Sequence, residues 1–345
     1  MKLPYIIAEI GVNYYDTAVE MNISPLEAAK IYIKKAKEAG INAVKFQTYK
    51  AETLASKNSP AYWDLSEEPT TTQYELFRKF DSFGKREYEE LSDYCKEIGI
   101  DFMSTPFDNE SADYLENMMK VYKISSSDIT NIPFLKRIAR KNKPVILSTG
   151  ASDLSEIDSA VKTIMDNGNG DLTLLHCVLS YPCKNEDANL NRIKALKRIY
   201  PNLKIGYSDH TLPDDSMIIM TTAFLYGAEV IEKHFTLNKG LKGNDHYHAG
   251  DPDDFKKAIS NFKLISEISG CEDLGVLECE KNSRREARRS LVIRRDMKKG
   301  DIIQENDLIA KRPGIGISPK NLEVVVGRKL TRDVERDEIL KWNMV

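Results

Sequence analysis

Eight short stretches of the chain share one pattern, apolar where they begin and polar where they end. They are YIIAEIGV (5–12), AVKFQTY (43–49), DFMSTPF (101–107), VYKISSS (121–127), PVILSTG (144–150), LTLLHCV (172–178), KIGYSDH (204–210) and VIEKHFT (230–236). Short, β-branched apolar runs of this kind predict strands. Between them, apolar residues recur at helical spacing. Ser24-Pro25-Leu26-Glu27 reads as a capping box with proline at the first helical position. Leu26, Ala29, Ile33 and Ala36 carry that helix to its stop at Gly40. Segments 86–98, 153–165, 214–226 and 253–269 read as further helices. Strands separated by helices pair in parallel, because parallel neighbours need crossover connections. The pattern therefore predicts α/β architecture closed as a (β/α)8 TIM barrel, with a doubly wound open sheet as the alternative.

The repeating units end near residue 270, so residues 1–270 are expected to form the barrel. A polar, irregular stretch over 271–288 reads as a linker, and 289–345 as a small β-rich domain with glycine turns. A domain of that size is marginal alone, so it is expected to pack on a barrel, that of a partner subunit included.

Composition narrows the function classes. A net charge of −3 argues against nucleic acid as a partner, and the one basic cluster, RREARR at 284–289, is too short to change that. No stretch approaches the length of a membrane span. Glu9 interrupts the first apolar run, which does not read as a secretory signal. Five cysteines, an odd number without CxxC spacing, fit reduced thiols in a cytoplasmic protein.

In a barrel the chemistry sits at the C-terminal strand ends. The seventh stretch ends in Ser208-Asp209-His210 and the eighth carries Glu232-Lys233-His234. Neighbouring strands stand about 4.8 Å apart, so His210 and His234 share one barrel mouth. Such a pair suits a divalent Mn, Fe, Co or Zn ion with open positions. His246 and His248, in the loop that follows, are expected to be solvated. Lys45 and Lys123 lie inside strands and call for an anion; with Thr105, Ser126, Ser148 and Ser208 they outline a pocket for phosphate and carboxylate. Glu9, mid-strand, should point inward and be paired or functional. Asp128 and Asp245 read equally as turn residues or as site residues.

IAEIGVN, VKFQTY, STPFD, YKISSSDITNIPFL, ILSTGAS, LLHCVLSYP, GYSDHT and EKHFTL together resemble the sialic acid synthase (N-acetylneuraminate synthase) family, and KRPGIGISP resembles its antifreeze-like SAF domain. The resemblance runs in order through nearly the whole chain. It implies condensation of phosphoenolpyruvate (PEP) with an N-acylated mannosamine-type sugar, with C–O cleavage of PEP and release of phosphate. It implies a divalent metal, foremost Mn2+ with Mg2+ or Co2+ as alternatives, on His210 and His234. PEP-binding positions fall on Lys45, Thr105, Lys123, Ser126, Ser148 and Ser208. Acceptor positions fall on Gln47, Tyr181, Asp128 and Asp245, and the catalytic acid on Glu9. Arg312 is the residue that a partner's SAF domain would offer to the acyl group, in a domain-swapped homodimer.

The chain departs from the family at Asn13-Tyr14-Tyr15-Asp16, where N-H-x-G is usual, at Leu179, where a small polar residue is common, and at Asp128, where glutamate is common. Those departures and a lid over 56–77 are where the acceptor would be chosen. A legionaminic-type acceptor is therefore the alternative to N-acetylmannosamine. A metal-dependent isomerase or aldolase would need a Schiff-base lysine or more carboxylate ligands. A non-catalytic carbohydrate-binding or antifreeze-like protein would not need the lysines and the histidine pair together.

Overall fold

The computed structural model describes residues 1–168, 170–243 and 245–345. They divide into two compact units, Met1–Gly270 and Cys271–Val345. The first holds eight strands: β1 (Tyr5–Gly11), β2 (Ala43–Thr48), β3 (Asp101–Pro106), β4 (Tyr122–Ile124), β5 (Val145–Ser148), β6 (Leu172–Cys177), β7 (Lys204–Asp209) and β8 (Val230–His234). All ladders are parallel, in the order β3-β2-β1-β8-β7-β6-β5-β4, and β3 and β4 lie against each other without a ladder. This is the expected barrel rather than the open sheet.

The strand alternation separates two environments. Ile6, Ala8, Val44, Phe46, Leu147, Leu174, Ile205 and Ile231 face the helices and build the main core. Ile7, Ala43, Met103, Ile146, Leu175 and Val230 face inward and form a second apolar cluster in the barrel's N-terminal half. Gly206 belongs to this inner layer for a steric reason. A Cβ there would stand 2.4 Å from the Val230 carbonyl oxygen and 2.5 Å from Leu175 Cδ2.

The helices follow their sequence signals closely. Pro25–Glu38 carries the predicted capping box at Ser24 and Glu27. Lys85–Ile98 ends on Gly99 in the left-handed region, φ 73°. The helix expected over 214–226 is shorter, Ile218–Leu225. Asp214 is the cause, since its carboxylate accepts the Ser216 and Ile218 N–H groups and turns the preceding chain outward.

The second unit has its own small core, including Leu291, Ile293, Ile303, Leu308, Ile317, Leu330 and Leu340. Its strands β9 (Ser290–Ile293) and β10 (Leu308–Lys311) pair antiparallel. Residues 271–289 are exposed, and Lys281–Ala287 is helical rather than irregular. Among the described residues, no helix is long and apolar enough to cross a membrane.

Candidate active site

Register assembles the site. Glu9 lies opposite Lys45 of β2 on one side and His234 of β8 on the other. Gln47 lies opposite Thr105, Cys177 opposite Ser208, and Ser208 opposite Glu232. One C-terminal pocket is thereby lined by Glu9, Lys45, Gln47, Thr105, Lys123, Ser126, Ser148, Tyr181, Ser208, His210 and His234. Those are the expected barrel site residues apart from Asp128 and Asp245. Glu232, Ser125, Cys177, Phe107 and Leu179 complete the wall.

The charges in it are buried and cross-linked. Lys45 pairs with Glu9, donates to Thr105 Oγ1 at 3.1 Å and stands 3.8 Å from Glu232. Lys123 stands 3.7 Å from Glu232. Ser208 donates to Glu232 at 2.9 Å, and Gln47 donates to Glu9 at 2.9 Å. Burial pushes the Glu9 carboxyl up to about 7, although Lys45 opposes the shift. Burial would push Glu232 up as well, but Lys123 and Lys45 outweigh it and hold its carboxyl below the usual range. Burial lowers the Lys123 ammonium. Ser148 Oγ is buried without a hydrogen-bond partner, as expected of a donor awaiting a ligand. The Gly150 N–H donates to Ser126 Oγ at 2.9 Å, orienting that hydroxyl at the end of β5.

A second compartment adjoins the first and shares Gln47, Tyr181 and His234 with it. Its wall is largely aromatic: Tyr49, Tyr62, Trp63, Phe77 and Phe80, with Val12 and Leu76. Asn13, Asp16 and Asp245 supply its polar groups. Segment 56–77 thus covers this compartment through Tyr62, Trp63, Leu76 and Phe77. The NYYD departure splits by function. Tyr14 and Tyr15 are buried, Tyr14 stacking on Phe83 with centroids 5.0 Å apart, whereas Asn13 and Asp16 reach the compartment. These residues begin a helix, Tyr14–Met21.

The imidazoles cluster round Tyr181. Its ring centroid is 4.3 Å from that of His210, 5.9 Å from His234 and 5.5 Å from His248. The Tyr247 hydroxyl donates to the Tyr181 carbonyl at 2.9 Å and holds that loop in place. His210 Nδ1 stands 2.7 Å from the Val178 carbonyl, which fixes the tautomer and leaves Nε2 as an acceptor. The expectation of solvated His246 and His248 is corrected: both are fully buried. His246 bridges Thr236 Oγ1 at 2.7 Å and Asp16 at 3.2 Å. His248 hydrogen-bonds through neither nitrogen, and His234 Nδ1 is likewise without a hydrogen-bond partner. Burial holds both His234 and His248 well below the usual imidazole range, hence neutral. Neutral, orphaned imidazoles beside a carboxylate fit a divalent cation.

Two expected residues lie elsewhere. Asp128 is half-buried, accepts from Asn131 Nδ2 at 3.1 Å and lines neither compartment; it belongs to the turn after β4. Arg312 is exposed in the second unit, just after β10. Sequence reasoning missed the place of Glu232, which stands two residues before His234 on one strand face and was readable from the two-residue period. It missed His248 and the aromatic wall because loops have no period to read. An open groove of about 1050 Å³ lies beside the mouth and shares Phe107 with it. Its Arg137, Lys141, Asp113 and Glu116 already pair with one another.

A TIM barrel that gathers buried lysines, hydroxyls and a histidine cluster at its C-terminal mouth is what the sequence resemblance led one to expect. The chain belongs to the NeuB family, whose profile matches residues 32–273, and an SAF domain matches 288–345. It is 38% identical over 348 residues to the N,N'-diacetyllegionaminic acid synthase of Legionella pneumophila, covering 99% of this chain and 94% of that one. It is 32% identical to the N-acetylneuraminate-9-phosphate synthase of Drosophila melanogaster, covering 99% and 95%. The crystal structure of the N-acetylneuraminic acid (sialic acid) synthetase of Leptospira borgpetersenii in complex with citrate superimposes with a TM-score of 0.70 at 33% identity, covering 82% of this chain and 90% of that one.

Proposed function

We propose that the protein condenses PEP with an N-acylated mannosamine-type aldehyde sugar, giving a nonulosonic acid and inorganic phosphate. The observation that carries this reading is the buried arrangement of Lys45 and Lys123 with the Ser126, Ser148, Ser208 and Thr105 hydroxyls beside a separate acceptor chamber. Two ammonium groups and a ring of hydroxyls match the phosphate and carboxylate of PEP.

In the reaction a bond forms between carbon 3 of PEP and the aldehyde carbon of the sugar. The aldehyde oxygen takes a proton and becomes a hydroxyl. A water oxygen adds at carbon 2, the bond from carbon 2 to the phosphate oxygen breaks, and phosphate leaves. Lys45 and Lys123 hold the anion and offset its charge through these changes. Glu232 ties both lysines and Ser208 to one position. Glu9, with a carboxyl near 7 and Gln47 and Lys45 on its oxygens, holds or moves the proton. His210 and His234 would hold the divalent cation, foremost Mn2+. When bound, the cation polarises the aldehyde oxygen of the acceptor.

The chamber favours a particular acceptor. An aromatic and aliphatic wall suits a methyl group and an acetamido methyl better than a row of free hydroxyls. The second reading, a 2,4-diacetamido-2,4,6-trideoxymannose acceptor and a legionaminic-type product, is therefore preferred over N-acetylmannosamine. Arg312 from the small domain of a second copy would meet the acyl group, in a domain-swapped homodimer. PEP is a cytoplasmic metabolite, which places the reaction there.

The test is phosphate release from PEP with Mn2+ and a panel of mannosamine derivatives. Turnover is expected, with kcat/KM at least tenfold higher for the diacetamido sugar. Preference for N-acetylmannosamine would reverse the choice of acceptor, and no release with any sugar would overturn the synthase reading.

A further inference from the structure

Resting on the reading that this mouth takes a divalent cation, the geometry points to His248 and Asp245 as further protein ligands of that cation, forming with His234 a two-histidine, one-carboxylate set. A site held by His210 and His234 alone leaves His248 without a role, and its surroundings demand one. The imidazole is fully buried, and among the described residues neither nitrogen is hydrogen-bonded. A buried polar group left unpaired is costly, and coordination relieves that cost at the nitrogen that takes the ion. His246, two residues earlier in the same loop, shows the contrast: both of its nitrogens have partners.

Among the described residues, the donor atoms of His234, Asp245 and His248 all lie within 4.8 Å of one another. His234 Nδ1 stands 3.5 Å from one Asp245 oxygen, and His248 Nε2 stands 3.9 Å from the other. Ligands bonded to one ion at about 2.0–2.2 Å stand roughly 3.0–3.4 Å from one another, so the three donors need to draw in by about an ångström to close the set. The His234 and His248 rings are 4.9 Å apart, nearer than those of His234 and His210 at 5.5 Å. Two neutral imidazoles and a carboxylate with open positions suit Mn2+, Fe2+ or Co2+. His234 and Asp245 also line the acceptor chamber, which sets the cation on the acceptor's side of the junction. Protein ligands beyond His210 and His234 have a consequence that a two-histidine site lacks: the ion binds tightly before any substrate arrives.

The experiment is Mn2+ titration of the full-length, substrate-free protein followed by electron paramagnetic resonance. It compares the wild type with His248→Ala and His248→Gln and checks each fold by circular dichroism. The inference expects dissociation of Mn2+ to rise tenfold or more in both variants, while the thermal midpoint without metal stays put or rises. A smaller change in affinity would overturn it and leave the His210–His234 pair as the whole site. If the variants fail to fold, pulsed nitrogen measurements on the wild-type Mn2+ complex decide. Replacing only the His248 imidazole nitrogens by the heavy isotope, through ligation of a labelled segment, should change the coupled signal; an unchanged signal would overturn the inference. Absence of Mn2+ binding to the wild type would instead overturn the metal reading on which this one rests.

Discussion

The two halves of the barrel interior are built on the same strands with the same alternation, yet their chemistry is opposite. Toward the N-terminal strand ends, Ile7, Ala43, Met103, Ile146, Leu175 and Val230 meet in an apolar layer. One residue pair further along, Glu9, Lys45, Lys123, Ser148 and Glu232 fill the same cross-section with buried charges and hydroxyls. The lower layer gains stability from burial and close packing. The upper layer gives some of that up, because desolvating two lysines and two carboxylates is costly even when they pair. The difference teaches where each half can be altered: mutation below should cost stability and spare chemistry, and mutation above should do the reverse.

The sharpest break of that comparison is Lys123→Met. The methionine keeps an apolar stem of similar length, and Glu232 retains Lys45 and Ser208. Phosphate release should fall by about 10³-fold or more, as removal of a preorganised charge does, while the thermal midpoint holds or rises. Activity near wild type would remove Lys123 from the anion pocket and dissolve the contrast.

The mirror experiment is Leu175→Ala. Leu175 is fully buried in the lower layer. Its truncation should cost about 2–4 kcal/mol, seen as a fall of several degrees in the thermal midpoint, with kcat of the folded enzyme within about threefold of wild type. A collapse of kcat without loss of stability would mean that the lower layer positions the site rather than merely supporting it.

How much of this contrast was legible beforehand depends on the kind of element. The polar strand endings revealed the upper layer, because a two-residue period and a fixed barrel polarity carry Glu9, Lys45, Lys123, Ser208 and His234 to one mouth. Glu232 obeys the same period. The loop residues do not. His248 looked solvated in a polar stretch, and only its packing beneath Tyr181 and Tyr247 buries it. Asp128 looked equally like a ligand contact or a turn residue, and the structure shows it in the turn after β4, accepting from Asn131. The aromatic chamber draws on Tyr49, Trp63 and the Phe77–Phe80 helix end, three separate places in the sequence, so no single periodic stretch announces it.

A pH profile sharpens the upper layer further. The Glu9 carboxyl is raised to about 7, chiefly by burial. Below that pH it is protonated and neutral, and Lys45 offers its full charge to PEP. Above it, the carboxylate competes for Lys45 and repels the anion. KM for PEP should therefore rise with pH above about 7, by at most tenfold per unit for a single proton. Glu9→Gln, which cannot ionise, should flatten that rise whatever it does to kcat. A rise that persists unchanged in the variant would assign the titration to another group.

The smallest effect is expected at a hollow beside the mouth. The groove lined by Asp113, Glu116, Arg137 and Lys141 offers far more room than the mouth and carries charges of both signs. Room is not chemistry, however. Arg137 and Lys141 both already face Asp113, and Lys141 also reaches Glu116, so these two cations are engaged before any anionic substrate arrives. The Arg137–Asp113 pair is open to solvent on both sides, and solvated pairs contribute little. Arg137→Ala should leave KM for PEP, kcat and the thermal midpoint at wild-type values. A rise in KM there would place substrate recognition outside the barrel mouth. It would also show that the division between the two interior layers does not account for where this protein handles its anions.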